Sequence, residues 1–249
     1  MRLSFRVDAV PYLPLRDLLL ILRDAGYGVV ESSWARVANE LSASCDRVTT
    51  FNALLNEHDL SLTSLQIADM AATEEGELGE VVGAMCEQMR FARELGLSSV
   101  SFSSGDRRRQ TMDVLVRGIK AVVPTAVELG LTIGLANRYG SRIEQLDDLN
   151  SLMIELDEPR LRFVINTGAY HDASVNPRDA IRAFSDQIDL VRIADRIGRR
   201  PVPLGQGELN VAAVVGQLQQ IGYTGRLVVD TPHPHAADAL SYLLDRLAR

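Results

Sequence analysis

Acidic, basic and imidazole side chains that could move protons or hold negative charge come at the ends of short apolar runs of this chain. Glu31 ends the run 28–31, Asp230 follows 227–229, Arg192 lies within 190–193, and His171 follows 163–165 by a few positions. A carboxylate or a histidine can exchange protons with a carbon acid or a hydroxyl, and a guanidinium can stabilise developing negative charge. We therefore predict Asp230, Glu31, His171 and Arg192 as catalytic residues.

Further polar and aromatic side chains stand at the ends of similar runs and could bind a substrate. A guanidinium makes bidentate hydrogen bonds to a carboxylate or phosphate, and an amide both donates and accepts hydrogen bonds. Trp34 directly follows the second run, where a tryptophan can either stack under a substrate or simply pack. Strand ends meet water in any protein, so each polar residue also has a structural explanation. The predicted substrate-binding residues are Asn137, Arg138, Asn166, Gln66, Trp34 and His233.

The stretch 161–181 contains a complete unit of strand, loop and helix start. Residues 163–165 form a short β-branched apolar run, typical of a strand covered on both faces. Asn166-Thr167-Gly168 is expected to break that run, and the loop that follows would hold Tyr170, His171 and Asp172. Asn176 before Pro177 then predicts a helix, because asparagine is a good N-cap and proline fits the first helical position.

The same alternation of strand and helix repeats eight times over the chain. Strands are predicted at 3–7, 28–31, 60–67, 99–102, 131–135, 163–165, 190–193 and 227–229, and the helices between them commonly end at a glycine. This order predicts an α/β fold, a single (β/α)₈ TIM barrel formed by residues 1–249 as one domain. A doubly wound sheet is the alternative, but no early strand is followed by a glycine-rich phosphate-binding motif. In such barrels the active site lies at the C-terminal ends of the strands.

Composition excludes several classes of protein. With 46% hydrophobic and 24% charged residues and no apolar run of membrane-spanning length, we expect no membrane partner. The N-terminus shows no signal-peptide pattern, so we expect a cytoplasmic location, with Cys45 and Cys86 reduced. A net charge of −7 argues against a general nucleic-acid binder. The expected partner is a small molecule, sugar-like or anionic, and self-association into a homo-oligomer is left open.

Several motifs, in their order and spacing, carry a resemblance to a known family. They are GYGVVES, LGLTIGLANR, RFVINTGAYHDASVNPRDAI, LVRIAD and PLGQGELN, the last followed by GYTGRLVVD. Together they cover nearly the whole chain, and it resembles the xylose isomerase-like family of sugar isomerases and epimerases. The resemblance implies a barrel and an active site at its strand ends.

The resemblance also implies a divalent metal, held at the ends of strands five to eight by two glutamates, an aspartate and a histidine. Those four positions fall on Ala136, Asn166, Arg192 and Asp230 in this sequence. Alanine offers no ligand, arginine is a permanent cation, and a neutral amide is a poor substitute for a carboxylate. We therefore predict no metal and no other cofactor. The alternative is a rebuilt metal site that uses Asp230 with Glu31, His171 and His233.

Three functions remain open at this point. The first is a metal-independent isomerase, epimerase or lyase for a small polyhydroxylated or anionic substrate, in which Arg192 stabilises enolate-like charge while Asp230, Glu31 and His171 move protons. The second is a catalytically silent barrel that binds a ligand or a partner protein. The third is a metal-dependent sugar isomerase with atypical ligands. Fold alone does not decide between them.

Overall fold

Eight parallel strands close into a barrel in a computed structural model that describes residues 1–248, apart from the side chain of His233. Around the barrel the strands follow the order β1-β10-β7-β6-β5-β4-β3-β2, and a separate antiparallel hairpin pairs β8 with β9. This closed ring confirms the predicted (β/α)₈ fold. The strands are β1 (Arg2–Arg6), β2 (Val29–Ser33), β3 (Ser61–Gln66), β4 (Ser99–Ser103), β5 (Thr132–Ala136), β6 (Leu161–Asn166), β7 (Ile188–Ile193), β8 (Asp195–Ile197), β9 (Arg200–Val202) and β10 (Arg226–Val229).

Amphipathic helices connect the barrel strands and cover their outer faces. In α1 the leucines at 15, 18, 19 and 22 are buried, a spacing that places them on one side of a helix. Burial of each such side chain contributes roughly 1.5–3 kcal/mol of hydrophobic free energy. The helices are α1 (Leu15–Asp24), α2 (Trp34–Glu40), α3 (Arg47–Glu57), α4 (Glu75–Glu94), α5 (Met112–Leu129), α6 (Leu146–Glu155), α7 (Thr167–Asp172), α8 (Pro177–Ala183), α9 (Val211–Gln220) and α10 (Ala236–Leu247), with single 3₁₀ turns at Val7–Ala9, Ser185–Gln187 and His233–His235.

The inside of the barrel is divided between apolar and polar side chains. A small cluster separate from the main core consists of Ala136, Val164, Leu190 and Val228. Side chains alternate along a strand, so residues two positions further on share the same face. Three of the cluster members are therefore followed, on the same face and nearer the C-terminal end, by Asn166, Arg192 and Asp230. The strands β1 to β4 supply buried serines and one buried charge, which are Ser4, Glu31, Ser64, Ser99, Ser101 and Ser103.

Three local features differ from the prediction. Tyr170, His171 and Asp172 lie in the short helix α7 and not in a loop, because the Asn166 side chain caps this helix by accepting a hydrogen bond from the Ala169 amide at 3.0 Å. The helix α2 directly follows β2, with Ser33 as its N-cap. The hairpin of β8 and β9 follows β7, and its strands have only three residues each.

Two further observations concern membranes and thiols. None of the helices within residues 1–248 is long and apolar enough to cross a bilayer. Cys45 is exposed and Cys86 is buried, and both are free thiols.

Candidate functional site

A cavity of about 310 Å³ opens at the C-terminal end of the barrel strands. This is the lower end of the size range of small-molecule sites. Six of the predicted site residues line the cavity, and they come from strands on all sides of the barrel: Gln66, Asn137, Arg138, Asn166, Arg192 and Asp230. It is also lined by residues that were not predicted, among them Arg6, Asp8, Tyr139, Asp172 and Arg196.

Arg192 and Glu31 form a buried bidentate ion pair across the barrel. Nε and Nη2 of Arg192 each donate to one carboxylate oxygen of Glu31 at 2.9 Å, and Nη2 also donates to Ser101 Oγ at 2.9 Å. The Arg192 side chain is 2% exposed and that of Glu31 is fully buried. These contacts do not use Nη1 of Arg192. Arg192 lines the cavity at the barrel mouth, and its charge is matched there by Glu31.

Arg6 connects a second set of side chains on the cavity floor. Its Nη1 donates to Asp230 Oδ2 at 3.3 Å, its Nη2 donates to Gln66 Oε1 at 2.9 Å, and its Nε lies 3.9 Å from Glu31 Oε2. Burial alone would lower the pKa of Arg6, but the charges of Asp230, Glu31 and Asp8 outweigh that effect and hold the pKa above its ordinary value. Arg6 is therefore a permanent positive charge among three carboxylates.

Asp8 is the one of these carboxylates that is not hydrogen-bonded to a guanidinium in the described contacts. Its Oδ1 accepts a short hydrogen bond from the Ser33 hydroxyl, and Ser33 also caps α2. Its Oδ2 is buried and has no hydrogen-bond partner among the described residues. A buried carboxylate oxygen without a donor costs free energy, so Asp8 Oδ2 is an unused hydrogen-bond acceptor in the cavity wall.

Asn137 and Asn166 extend the pairing of β5 and β6 beyond the end of the sheet. Asn137 accepts from the Asn166 amide at 2.7 Å and donates to the Asn166 carbonyl at 3.1 Å. Asn137 is 3% exposed, so its side chain mainly positions the neighbouring strand end. The Asn166 side chain uses Oδ1 to cap α7, which leaves its Nδ2 outside this contact.

The hairpin of β8 and β9 covers one side of the cavity. Arg196 lies across the first turn of α7, where a Cβ on Gly168 would collide with its guanidinium. The Arg196 Nε faces Asp172 Oδ1 at 3.6 Å, and its Nη1 donates to the Arg199 carbonyl at 2.9 Å. The Arg199 guanidinium stacks on the Tyr139 ring at 3.8 Å from the centroid, which joins the hairpin to the loop after β5.

A buried carboxylate organises the loop that follows the hairpin. Asp195, 1% exposed, accepts from the backbone amides of Arg196, Gly205, Gly207 and Leu209 at 2.8–3.2 Å. This explains the PLGQGELN motif, because the loop must bring its amides around one side chain. Asp195 therefore has its hydrogen-bonding capacity filled by the backbone, although its position at a strand end is typical of a site residue.

Four predicted site residues lie apart from the cavity wall or outside the described side chains. Glu31 is beneath the wall, bonded to Arg192. His171 Nε2 lies 3.1 Å from Glu208 Oε2, and the same Glu208 oxygen accepts from the Gly198 amide, so His171 contacts the hairpin loop. Trp34 packs edge-on against Phe91 with centroids 4.8 Å apart and belongs to the periphery of the main core. The side chain of His233 lies outside the described part of the structure.

Arg6 is the main site residue that the sequence reasoning missed. The sequence feature that could have identified Arg6 is the alternation along the first strand, where Ser4 and Arg6 alternate with the buried Phe5 and Val7. A charged residue on the inner face of a predicted barrel strand, just before its C-terminal end, should reach the mouth of the barrel. Arg196 and Tyr139 have no comparable feature in the sequence, because Arg196 is positioned by the short hairpin and Tyr139 by the loop after β5.

The donor groups at the mouth do not fit a divalent cation. Glu31, in the middle of β2, and Asp230, directly after β10, each contact a guanidinium, and Arg192 occupies the inner face of β7. His171 is paired with Glu208, so the alternative set of Glu31, Asp230 and His171 is divided among three different partners. Within residues 1–248, setting aside His233, no three acidic, histidine or cysteine side chains are grouped as metal ligands. A cation there would meet two fixed positive charges, and both of these carboxylates are already bonded to them.

Several solved structures share this architecture. The IOLI protein with a bound zinc atom superimposes with a TM-score of 0.84 at 15% identity, covering 100% of this chain and 98% of that one. The probable 3-DHS dehydratase AsbF from Bacillus anthracis gives 0.79 at 15%, covering 100% and 99%. A D-tagatose 3-epimerase-like protein gives 0.82 at 16%, covering 100% and 97%. At these identities the likeness shows the fold alone.

One match is to part of a larger protein. The chain aligns over 99% of its length with a fusion of a xylose isomerase-like barrel and 4-hydroxyphenylpyruvate dioxygenase, at 20% identity and a TM-score of 0.83, and spans 42% of that protein. No curated protein matches the sequence. The family model described as "Xylose isomerase-like TIM barrel" matches residues 19–248. With the closed barrel and the cavity at its strand ends, this match establishes that the chain belongs to the xylose isomerase-like TIM barrel family.

Proposed function

We propose that this protein is an isomerase, epimerase or lyase that acts on a small polyhydroxylated substrate in the cavity at the barrel mouth. The observation that carries the proposal is the cavity floor, where Asp230 contacts Arg6 through Oδ2 only and lines the same cavity as Arg192. A carboxylate can remove a proton from carbon, and fixed positive charge in the same cavity can stabilise the negative charge that develops on the substrate. The epimerase-like and dehydratase barrels of the same fold support this reaction class.

The proposed roles follow from burial and contacts. Asp230 transfers the proton. Arg192 donates through Nη1, which its bonds to Glu31 leave unused, to the substrate oxygen that becomes negative. Glu31 is fully buried, so we assign it the task of orienting Arg192 and not of moving protons. His171, paired with Glu208 beside the hairpin, is assigned no step in this proposal.

A hydroxyl-rich substrate fits the cavity better than an anionic one. Each guanidinium in the wall is matched by a carboxylate: Arg6 by Asp230, Arg138 by Asp69, Arg192 by Glu31 and Arg196 by Asp172. An anion would have to compete with these pairs. Hydroxyl groups, in contrast, can donate to Asp8 and Asp230 and accept from amide and guanidinium nitrogens.

The test is turnover on a panel of ketoses, cyclic polyols and the corresponding sugar acids. We expect conversion of one neutral class, with Asp230→Asn lowering kcat at least about 100-fold, since general base catalysis contributes that much or more. Asp179→Asn, which changes an exposed carboxylate paired with Arg182, is the matched control and should retain full activity. Equal activity of the Asp230→Asn variant and the wild type would contradict the assignment of Asp230.

A catalytically silent binding barrel is the second candidate. One observation favours it: Glu31 and Asp230 both contact guanidinium groups. Such contacts are expected where side chains maintain the shape of a cavity and balance its charge. Calorimetric binding of a panel compound without any turnover of it would support this candidate. Turnover that depends on Asp230 would exclude it.

A further inference from the structure

One guanidinium on the cavity floor faces three carboxylates. Arg6 lies 3.3 Å from Asp230 and 3.9 Å from Glu31, and the charge of Asp8, two residues along the chain, also acts on it. The Arg6 side chain is only 20% exposed. Such a group cannot relieve its burial by losing a proton, because arginine stays charged in proteins.

Arg192 supplies the second positive charge of the same cluster. Glu31 joins the two guanidiniums, since its Oε2 accepts from Arg192 Nε and lies nearest to Arg6 Nε. Two neutral oxygens also accept hydrogen bonds from these guanidiniums, Gln66 Oε1 from Arg6 and Ser101 Oγ from Arg192. The cluster therefore contains two cations, three carboxylates and neutral acceptors, with Asp8 acting on Arg6 through its charge.

We propose that Arg6 is the resident cation of this site: with Arg192 it occupies the space among Asp8, Glu31 and Asp230, excludes a divalent metal ion, and positions Asp230. The positioning role rests on the proposed function, whereas the exclusion of metal does not. Divalent ions need several oxygens directly at about 2.0–2.6 Å. Here the guanidiniums hydrogen-bond to oxygens of Glu31 and Asp230, and their charges repel a further positive ion.

The first experiment uses Mn²⁺ alone as probe on wild type, Arg6→Met and the double variant Arg6→Met/Asp230→Asn. Wild type should bind no stoichiometric Mn²⁺ by calorimetry, and its Tm should not change with Mn²⁺. Arg6→Met should lower Tm by roughly 10 °C, because a cluster of carboxylates loses its counterion, and removal of the Asp230 charge should recover part of that loss. Arg16→Met, on the surface with an exposed Glu57 partner, is the control and should leave Tm nearly unchanged.

Stoichiometric Mn²⁺ binding by wild type would overturn the proposal, and so would an Arg6→Met protein with the Tm of wild type. If Arg6→Met does not fold, Arg6→Lys and Asp230→Asn decide the question. Lysine keeps the positive charge but cannot donate to both Asp230 and Gln66 as the guanidinium does. A folded Arg6→Lys protein that binds no Mn²⁺ supports the proposal. An Arg6→Lys protein that binds Mn²⁺ contradicts the proposal.

The positioning role is read from kinetics on any substrate found in the panel. Arg6→Met should lower kcat far more than it changes KM, and Arg6→Lys should restore part of kcat. If Arg6→Met changes only KM, Arg6 does not position Asp230, and the conclusion from the Mn²⁺ titrations is unaffected. A wild type inactive on the whole panel would remove the proposed function and with it the positioning role, while the Mn²⁺ titrations would still decide the role of Arg6 as resident cation.

Discussion

The ion pair of Arg192 and Glu31 is the residue-level feature on which the barrel mouth most depends. Both side chains are almost completely buried, and each is the main partner of the other. Breaking a buried pair by removing one partner is far more costly than losing an exposed pair, because the remaining charge has neither water nor a counterion. This contrast can be measured within the chain itself.

We expect Arg192→Met to destabilise the fold by about 3–5 kcal/mol, since it leaves the buried Glu31 carboxylate without its hydrogen-bonded partner and with only the more distant Arg6 as a counterion. Arg117→Met, which breaks an exposed pair with Glu75, should cost less than about 1 kcal/mol. Urea unfolding of both variants, with the double variant Arg192→Met/Glu31→Gln as a rescue, measures the difference. If both single variants lose the same free energy of unfolding, the buried pair stabilises the fold no more than the exposed pair does.

Asp148 gives a residue-scale prediction on pH. Burial raises its pKa, but hydrogen bonds from Arg107, from the amides of Gln145 and Glu144 and from Arg142 lower it further, so the net pKa lies below its ordinary value. The pKa of this carboxyl is about 3.9 in the unfolded chain and lower in the folded protein. Its charge therefore stabilises the fold at pH values above about 3.9, and this stabilisation is lost as the pH falls through the pKa of the folded state.

The variant Asp148→Asn should therefore lose about 3 kcal/mol of stability at pH 7, and this difference from wild type should shrink as the pH falls below about 4. Chemical denaturation at a series of pH values measures it. A difference that stays constant from pH 7 to pH 3 would show that the carboxylate charge is not what matters at this position.

At the scale of elements, the hairpin and the loop after it are fixed by one buried side chain. Gly207 lies against Asp195, where a Cβ would overlap the carboxylate and the Arg196 carbonyl oxygen. We expect Gly207→Ala to destabilise the protein by about 2 kcal/mol, because the bonds of a charged acceptor to backbone amides are disturbed. Hydrogen exchange should increase at 195–209.

A second glycine provides the control for that variant. Gly216 lies within α9, and a Cβ there would have nothing within 4 Å. Gly216→Ala should stabilise the helix by about 0.5–1 kcal/mol, since alanine loses less conformational entropy than glycine. A Gly207→Ala protein as stable as Gly216→Ala would refute the proposed role of the Asp195 loop.

The sequence predicts well those elements in which apolar residues recur with a clear strand or helix periodicity. All eight barrel strands and the long helices were predicted because alternating apolar runs and glycine stops mark them. The hairpin was not, since three-residue strands containing arginine and proline have no such pattern. The helix α2 was also missed, because it is short and buries only Val37. The helix α7 was mistaken for a loop because Gly168 is normally a breaker, yet here it makes room for Arg196.

At the scale of the whole molecule, the barrel fold explains which site residues could be found from the sequence. Strand ends converge on one face, so the positions of Asp230, Arg192 and Gln66 in the cavity wall follow from the predicted fold. Their partners do not follow. Arg192 and Glu31 are 161 residues apart and Arg6 and Asp230 are 224 apart, and no local pattern specifies such pairs. The balance of charge in the cavity is therefore a property of the closed barrel.

The central claim is that Asp230, among resident guanidiniums, moves protons without a divalent ion. The most direct measurement is the exchange of carbon-bound hydrogen for deuterium in D₂O, followed by NMR on the panel of ketoses with chelator-treated protein. The account predicts that wild type catalyses exchange at the carbon beside the carbonyl in the presence of chelator, and that Asp230→Asn is at least about 100-fold slower. Exchange that stops on chelation and returns with Mn²⁺ would contradict it.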